Sequence, residues 1–544
     1  MPIIPVTGLG DHVNLHPIRS FLLFILLIST SALAQKPAIE SVDTAAFSRI
    51  VAEATDRSQV MDILEYISEV CGPRLTGSPG FMQAAIWTKE KMTEWGLANA
   101  HLEGWGPFGR GWTLERYTAH VIAPLAFPLL SYPKAWSPGT DGPIEGDIIY
   151  LDAKTDSALD TYKGKLKGKF ILHGGMREVG ISFEPLATRN TDKELLEMAN
   201  EDLPKARRPR RPGADNARSL LEYRKLQLYQ REGVAALLTP APFDGGSMMV
   251  QSATLPSHPD TPRSSRIRPW EVRASRIPPQ IAVGVEHYNR LVRMSQRGMR
   301  LKMEMNLAVN FTKPDSGYNV IGEIPGSDLG DEVVMIGAHL DSWHGGTGAT
   351  DDGTGVAVCM EVMRILKTLN LKPRRTIRIA LWGGEEQGEY GSKAYVKRHF
   401  GERVTDPAGS QSIKLTPAGE KFSVYFNDDN GTGKIRGVYL QGNDAVRPIF
   451  RKWLDAIDDP LAKTLTLSNT GSTDHQAFDN IGLPGFQFIQ DDIEYFNRTW
   501  HSTMDLYDRA IEGDLRQAVI IMTMFAYHAA MRDERIPRKP TSMQ

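Results

Sequence analysis

The segment from residue 333 to residue 366 constrains the fold more than any other part of the chain. It reads VVMIGAHLDSWHGGTGATDDGTGVAVCMEVMRIL, with an apolar run at each end and two histidines and three aspartates between the runs. The first run is typical of a buried strand, and the longer second run is typical of a buried helix. The segment therefore predicts a strand and a helix joined by a loop that gathers ionisable side chains.

Strands and helices alternate through the rest of the chain after residue 317. Helices are predicted at about 355–369, 392–399 and 515–531, and the intervening strands include RTIRIALWG, KFSVYFN and PGFQFIQ. Such alternation is typical of a sheet covered by helices on both faces. We therefore expect an α/β fold with a mixed, mostly parallel sheet sandwiched by helices.

Residues 119–305 have a different sequence pattern, with short apolar runs separated by proline and glycine. Examples are GDIIYL, GKFILHGG and VAALLTP. This pattern is typical of short strands. The chain has 544 residues, too many for one ordinary core. The region is therefore predicted to be a small β-rich domain inserted into the α/β fold.

The longest apolar stretch, FLLFILLISTSALA at 21–34, follows Arg19 and ends in small residues. It predicts a secretory signal peptide cleaved near Ala34, and hence a secreted or periplasmic protein. The alternative is a membrane anchor, which is disfavoured because the apolar part is shorter than the ~20 residues that a span needs. We expect no stable membrane anchor after cleavage.

The overall charge and the cysteine content narrow the choice of partners further. Lys and Arg total 63 against 65 Asp and Glu, which gives no general attraction to nucleic acid. Only Cys71 and Cys359 are present, so the exported protein does not rely on a disulfide framework. The sequence leaves open whether these two cysteines form one bridge or remain two buried thiols.

Acids and histidines follow each of the main predicted strands. The first strand ends at His339, ahead of Asp341 and Asp351; the others are followed by Glu385 and Glu386, by Asp428 and Asp429, and by Asp491 and Asp492 ahead of His501. Sites in open α/β sheets form beyond the carboxyl ends of the strands, so these side chains are expected to converge. Carboxylates placed so close together would repel one another unless a cation lies among them.

Histidine and carboxylate ligands without a thiolate suit zinc, with Mn²⁺ or Co²⁺ as substitutes. Three anionic ligands, Asp351, Glu386 and Asp429, together with one hydroxide balance two divalent ions, which favours a pair of metals. Glu385, beside a ligand on the same turn, is then free to accept a proton from water. Asp341 is expected to contact the His339 ring and orient it, without binding the metal itself.

Several neighbouring residues have competing interpretations. His344 is expected to be a loop residue rather than a ligand, because the glycines that follow it give no rigid support. Asp352 is expected to be an acid at a helix N-terminus rather than a ligand. Asp428 and Asp429 are not separated by their pattern. Arg498, near His501, is either a surface residue or a cation for a substrate carboxylate.

Five motifs together resemble those of the zinc exopeptidases with a co-catalytic metal pair, especially the plasma glutamate carboxypeptidase type. The motifs are CGPRLTGSPG, HLDSWHGGTGATDDGTG, WGGEEQGEYGS, STDHQAF and WHSTMD. The resemblance implies two Zn²⁺ ions, one held by His339 and Asp429 and the other by Glu386 and His501, with Asp351 bridging both. Glu385 would act as general base and then as general acid, and the inserted region looks like a protease-associated domain.

The resemblance also implies the organisation and activity of the whole chain. The expected parts are a signal peptide (1–34), the first part of the peptidase domain (35–118), the protease-associated insertion (119–305), the second part with the metal site (306–532) and a flexible tail (533–544). An exported aminopeptidase or dipeptidase is expected, which would cleave terminal peptide bonds with a metal-bridging hydroxide. The alternatives are a carboxypeptidase and a catalytically silent binding or receptor module; a homodimer is compatible with the resemblance.

Overall fold

The computed structural model describes residues 40–202, 214–313, 315–457 and 459–539. Tertiary contacts separate Met1–Ser41 from a second unit, Val42–Gln544, and the description below concerns the second unit. The predicted signal peptide lies outside the described residues. Within the described ranges, no helix has both the length and the apolar character needed to cross a membrane.

The strands of the described residues form two eight-stranded sheets and one two-stranded hairpin. In chain order they are β1 (Ala98–Gly109), β2 (Trp112–Ala123), β3 (Phe127–Pro128), β4 (Ser131–Pro133), β5 (Ile144–Tyr150), β6 (Phe170–Leu172), β7 (Ala236–Pro240), β8 (Gln280–Val283), β9 (Lys302–Phe311), β10 (Asp315–Ile324), β11 (Leu329–His339), β12 (Arg375–Trp382), β13 (Gly401–Thr405), β14 (Gln411–Leu415), β15 (Phe422–Asn427), β16 (Ile435–Tyr439), β17 (Thr464–Thr466) and β18 (Gly485–Gln490).

The α-helices lie on both faces of the first sheet and around the second. They are α1 (Thr44–Asp56), α2 (Val60–Glu65), α3 (Pro79–Glu94), α4 (Asp156–Asp160), α5 (Asp192–Ala199), α6 (Ala214–Glu232), α7 (Val285–Gln296), α8 (Thr354–Thr368), α9 (Tyr390–His399), α10 (Pro417–Lys421), α11 (Arg447–Ile457), α12 (His475–Asp479) and α13 (Glu512–Met531).

The first sheet has the strand order β1-β10-β12-β11-β15-β18-β16-β17. Its central strands β12, β11, β15 and β18 are parallel neighbours, whereas β1, β10 and β16 add antiparallel pairs. Helices cover both faces, so the central strands are buried and read as continuous apolar runs. The predicted mixed α/β sheet between helices is confirmed, and the carboxyl ends of the four parallel strands meet at one edge.

Helix α8 anchors the loop that follows β11. Its residues from Thr354 to Leu366 are buried between the sheet and α13, which explains the unbroken apolar sequence. The helix begins where the Asp352 carboxylate accepts a hydrogen bond from the N–H of Gly355 at 3.1 Å. The preceding loop is therefore fixed at both ends, by a buried strand and by a capped, buried helix.

The second sheet, with the order β3-β2-β9-β5-β6-β7-β8-β4, is built from residues inserted between β1 and β10. It extends from Trp112 to Phe311, which pair across β2 and β9, so the inserted part is longer than the predicted 119–305. The two connecting segments meet at Gly111, whose N–H donates to Thr312 Oγ1 at 2.9 Å. A Cβ at Gly111 would lie 1.9 Å from the Gly77 carbonyl oxygen, so the joint requires glycine there.

Some elements depart from the sequence-based expectations. The inserted part contains the long helix α6, whose many charged and glutamine residues gave no apolar periodicity. Cys71 and Cys359 are both buried and free, so they form no bridge. A flexible tail is predicted from residue 533, whereas Ile536 is buried and Pro537 accepts a hydrogen bond from Asn443, because this segment lies against the sheet.

Candidate metal centre

His339, the last residue of β11, directs one ring nitrogen towards two carboxylates. Its Nδ1 lies 2.8 Å from the main-chain oxygen of Asp341, which leaves Nε2 to face the cavity. The Nε2 atom lies 3.2 Å from Asp351 Oδ1 and 3.6 Å from Asp429 Oδ1. The ends of β11 and β15 and the loop before α8 therefore meet at this nitrogen.

His501 forms a second half of the same cluster, on the far side of Asp351. Its Nε2 lies 2.9 Å from Glu386 Oε2 and 3.3 Å from Asp351 Oδ2. The two oxygens of Asp351 thus face two different histidines. The structure brings together all five predicted ligands, with Asp351 in the middle position.

Asp341 has a different role from the one expected. It reaches the His339 ring through its main-chain oxygen, and its carboxylate lies 3.8 Å from Nδ1, beyond hydrogen-bond distance. The carboxylate instead accepts the backbone N–H groups of Glu385 at 3.1 Å and Glu386 at 3.2 Å, and the hydroxyl of Thr76 at 3.0 Å. Asp341 therefore fixes the turn that carries both glutamates.

Asp505 is a positioning residue that the sequence reasoning missed. Its carboxylate accepts the N–H of Thr350 at 2.6 Å, the hydroxyl of Thr350 at 2.8 Å and the N–H of Asp351 at 3.2 Å. Asp505 is the last residue of the motif WHSTMD, which also contains His501. Its position in this motif was the signal that could have identified it. It holds the central aspartate from behind.

Arg74, in the motif CGPRLTGSPG, supports the same loop from the opposite side. It is fully buried, and its guanidinium donates to the carbonyl oxygens of Leu340 at 2.7 Å, Thr347 at 2.8 Å and Gly348 at 2.8 Å. A buried cation that binds three carbonyl groups fixes the loop between β11 and α8. Arg74 of this motif therefore fixes the loop between β11 and α8, and it does not line the cavity.

The geometry separates Asp428 from Asp429. Asp429 lines the cavity beside His339, whereas Asp428 is buried below it, with an Oδ1 that has no hydrogen-bond partner. Burial, with a further contribution from Asp429, raises the pKa of Asp428 to about 7. Asp352 takes the role expected of it at the helix N-terminus, because its Oδ1 accepts the N–H of Gly355. Its Oδ2 also accepts the N–H of His339 at 3.1 Å, which ties the helix start to the end of β11.

Two other candidates point away from the centre. His344 Nε2 lies 2.8 Å from the carbonyl oxygen of Pro133 in the inserted sheet, and burial lowers the pKa of His344 to about 4. Asp491 follows β18 as predicted but pairs with Arg436 at 2.8 Å and Arg189 at 2.9 Å. Its expected convergence with the cluster is therefore wrong, because its carboxylate pairs with the buried Arg436 and the partly exposed Arg189 instead.

The donor set fits divalent metal ions. The ligand atoms of His339, Asp351 and Glu386 lie within 4.8 Å of one another. Asp351 Oδ2 and Glu386 Oε1 are buried without a hydrogen-bond partner, although carboxylate oxygens require one. Burial and the neighbouring Asp351 raise the pKa of Glu386 well above its usual range. A cation at the centre would supply the missing partner and relieve this repulsion.

The cluster lies at the base of a cavity of about 390 Å³. Its wall carries the acids Glu385, Glu386, Glu389 and Asp429 and the aromatic residues Tyr495, Phe496 and Trp500. Burial raises the pKa of the Glu385 carboxyl well above its usual range, and Asp429 adds to this effect. The arrangement is a concave acidic site with an aromatic rim, of a size that accepts a small organic substrate.

Sequence comparison finds a family match for the part of the chain that carries the site. Residues 319–526 match the family described as Peptidase family M28. Carboxypeptidase Q of Mus musculus is 31% identical over 263 residues, which are 48% of this chain and 52% of that protein. Carboxypeptidase Q of Homo sapiens is 28% identical over 263 residues, 48% of this chain and 51% of that protein. The chain thus spans about half the length of the curated relatives it matches.

Solved structures show the same fold. A peptidase M28 precursor from Shewanella amazonensis superposes with a TM-score of 0.62 at 22% identity, over 92% of this chain and 99% of that one. A zinc aminopeptidase from Bacillus subtilis superposes with a TM-score of 0.53 at 18% identity, over 87% and 95%. The part of the chain that matches Peptidase family M28 is residues 319–526, and over this part the resemblance to the co-catalytic zinc exopeptidases is confirmed.

Proposed function

We propose that this chain is a zinc-dependent exopeptidase that acts as an aminopeptidase or dipeptidase. The observation that carries the proposal is the charge of the cavity. Acids and histidines line it together with neutral side chains, and among the described residues of the lining there is no lysine or arginine. Such a site favours the ammonium group of a peptide, whereas a terminal carboxylate calls for a cationic partner.

Two basic side chains close in sequence to residues of the lining are already paired. Lys393 lies 3.2 Å from Glu389, an acid of the cavity wall, and its side chain is half-exposed. Arg498 lies 3.0 Å from Glu494, which also pairs with Arg509 at 2.9 Å. Arg498 is therefore engaged elsewhere, and this supports its interpretation as a structural rather than a substrate-binding cation.

The proposed mechanism assigns a task to each side chain of the cluster. His339 and Asp429 would hold one zinc ion, Glu386 and His501 a second, and Asp351 would bridge them. When bound, zinc lowers the pKa of water and polarises a carbonyl group. Glu385, on the cavity wall, takes the proton of the attacking water and returns it to the leaving amine. Glu389, which lines the same cavity and shares its charge with Lys393, adds negative charge on the side of the positively charged terminus of the substrate.

A carboxypeptidase is the second candidate, and the curated relatives support it through their name, Carboxypeptidase Q. A dipeptide carries both termini, so a dipeptidase would satisfy both the relatives and the acidic cavity. The silent binding module has less support, because the five candidate ligands and the candidate base are all present and lie together.

The test compares three dipeptides that share one sequence: unblocked, blocked at the amino end and blocked at the carboxyl end. Release of amino acid is measured after chelation and again after zinc is added. An aminopeptidase is supported if zinc-dependent cleavage is seen for the dipeptide blocked at the carboxyl end but not for the one blocked at the amino end. A dipeptidase is supported if only the unblocked dipeptide is cleaved. If the dipeptide blocked at the amino end is cleaved and the one blocked at the carboxyl end is not, the aminopeptidase proposal is overturned in favour of a carboxypeptidase. No zinc-dependent cleavage of any of them overturns the peptidase proposal.

Export and assembly are separate proposals. The apolar stretch at 21–34 supports secretion or transfer to the periplasm, with peptides as substrates and no membrane anchor in the mature protein. N-terminal sequencing of exported protein is expected to begin after Ala34, and protein retained in membranes with Arg19 intact would contradict it. We also propose a homodimer, which sedimentation of the mature protein tests directly.

A further inference from the structure

Residues 247–251 of the inserted part contact the segment that carries His501. This segment runs antiparallel to residues 498–503, with a bridge between Met249 and Ser502. The N–H of Val250 donates to the carbonyl oxygen of His501 at 2.9 Å, and the N–H of Thr503 donates to the carbonyl oxygen of Met248 at 3.0 Å. Backbone pairing therefore fixes the main chain of His501, whose φ of 55° is unusual for a residue other than glycine.

The ring of His501 has a further contact that the backbone pairing does not explain. Its Nε2 faces Glu386 and Asp351, while its Nδ1 lies 2.9 Å from the Gln251 side-chain amide nitrogen. Among the described residues, Gln251 is the only one whose side chain forms a hydrogen bond with Nδ1. The outer face of the ring is covered by Trp500, stacked at 4.0 Å between ring centroids.

We propose that Gln251 is a positioning residue for His501, contributed to the metal centre by the inserted part. The inference rests on the proposed function, because it concerns how His501 presents Nε2 to a cation. A histidine that binds a metal through Nε2 carries its proton on Nδ1, and that proton needs an acceptor. A half-turn of the Gln251 amide places Oε1 where its nitrogen now lies, so the same side chain provides this acceptor.

Two features allow an experiment to distinguish the positioning of the His501 ring by Gln251 from a contribution of Gln251 to the stability of the fold. Gln251 is exposed, so replacing its side chain opens no cavity in the core. The backbone contacts of Val250, Met249 and Met248 do not involve the Gln251 amide, so they survive its replacement. A change in metal binding would therefore report on the ring of His501 rather than on the fold.

The test measures metal affinity in the absence of any substrate. Metal-free full-length protein is titrated with zinc by calorimetry and with cobalt(II) by visible absorption, for the parent and for the variants Gln251→Leu and Gln251→Glu. The Leu variant is expected to bind one equivalent roughly 10–100-fold more weakly, because the acceptor is lost. The Glu variant retains an acceptor and should stay close to the parent. Gln296→Leu, at an exposed glutamine of α7 in the same inserted part, is the matched control.

Thermal unfolding of the metal-free variants shows whether each one is folded, and Gln251→Met serves as a second apolar replacement if the Leu variant unfolds early. Equal affinity of the parent and the apolar variants overturns the inference. An equal loss in the Leu and Glu variants also overturns it, because it shows that hydrogen-bond acceptance does not matter. A parent protein that takes up neither zinc nor cobalt overturns the proposed function, and this inference with it.

Discussion

The Oδ1 atom of Asp341 accepts the backbone N–H of Glu385 at 3.1 Å, across the boundary between two neighbouring parallel strands. The acid follows β11, and the glutamate lies on the turn that follows β12. Because Asp341 is fully buried, the bond is shielded from water and holds the turn in one position. The proposed base Glu385 and the proposed ligand Glu386 are therefore held by the same carboxylate.

Asp341→Asn is expected to weaken zinc binding and turnover by about 10–100-fold, the usual cost of losing a residue that supports metal ligands. The amide keeps one acceptor oxygen but turns an NH₂ group towards a backbone N–H. Metal affinity and kcat are measured together. Thr76→Val removes only the hydroxyl that donates to Asp341, so its effect should be smaller; a larger effect of Thr76→Val would contradict this reading.

Glu385→Gln is expected to keep the fold and the metal content but to lose ~10²–10⁴-fold in kcat, because the amide cannot accept a proton. Circular dichroism checks the fold, elemental analysis checks the metal content, and dipeptide hydrolysis measures kcat. Glu420→Gln, at an exposed glutamate of α10, should leave all three unchanged. Near-normal turnover by the Glu385 variant would rule out its role as the base.

Asp429→Asn and Asp428→Asn should behave differently although the residues are adjacent. The first removes a carboxylate that lies 3.6 Å from His339 Nε2, so metal affinity and activity should fall together. The second replaces a buried acid that does not line the cavity, with little effect on either. Zinc titration of the two variants measures the affinity of each. A greater loss of zinc affinity in the Asp428 variant would show that Asp428, and not Asp429, is the ligand.

Removal of metal is expected to abolish activity and to lower the unfolding temperature. A ligand that binds only the folded state stabilises it by ~2.7 kcal/mol at a concentration of 100 Kd. Calorimetric melting with chelator and then with added zinc measures the shift. His339→Ala removes a residue of the centre and should show a much smaller zinc-dependent shift; an undiminished shift would place the metal elsewhere.

The sequence predicted the parts of the fold that carry clear periodicity. Helix α8, predicted at 355–369, occupies Thr354–Thr368, and the last helix, predicted at 515–531, occupies Glu512–Met531. Both are apolar because they pack on a sheet. The long helix α6 was missed, because its charged sequence carries no such pattern.

Spacing along the chain identified the ionisable residues of the site but gave less information about their partners. The rule that sites form beyond strand ends placed His339 and Glu386 correctly at one edge. It also grouped Asp491 with them, whereas Arg436 and Arg189 bind this aspartate elsewhere. Partners distant in sequence leave no local signal, and for that reason the roles of Asp505, Arg74 and Gln251 were not foreseen.

By itself, the sequence determined the class of fold and the ionisable residues that form the cluster, because strand and helix periodicity and the order of the strand-end residues are local properties. Only the tertiary structure decided which oxygen faces which nitrogen, which of Asp428 and Asp429 reaches the cavity, and that the inserted part touches His501. These relations join residues far apart in the chain, and packing fixes their geometry only when both sheets and their helices are in place.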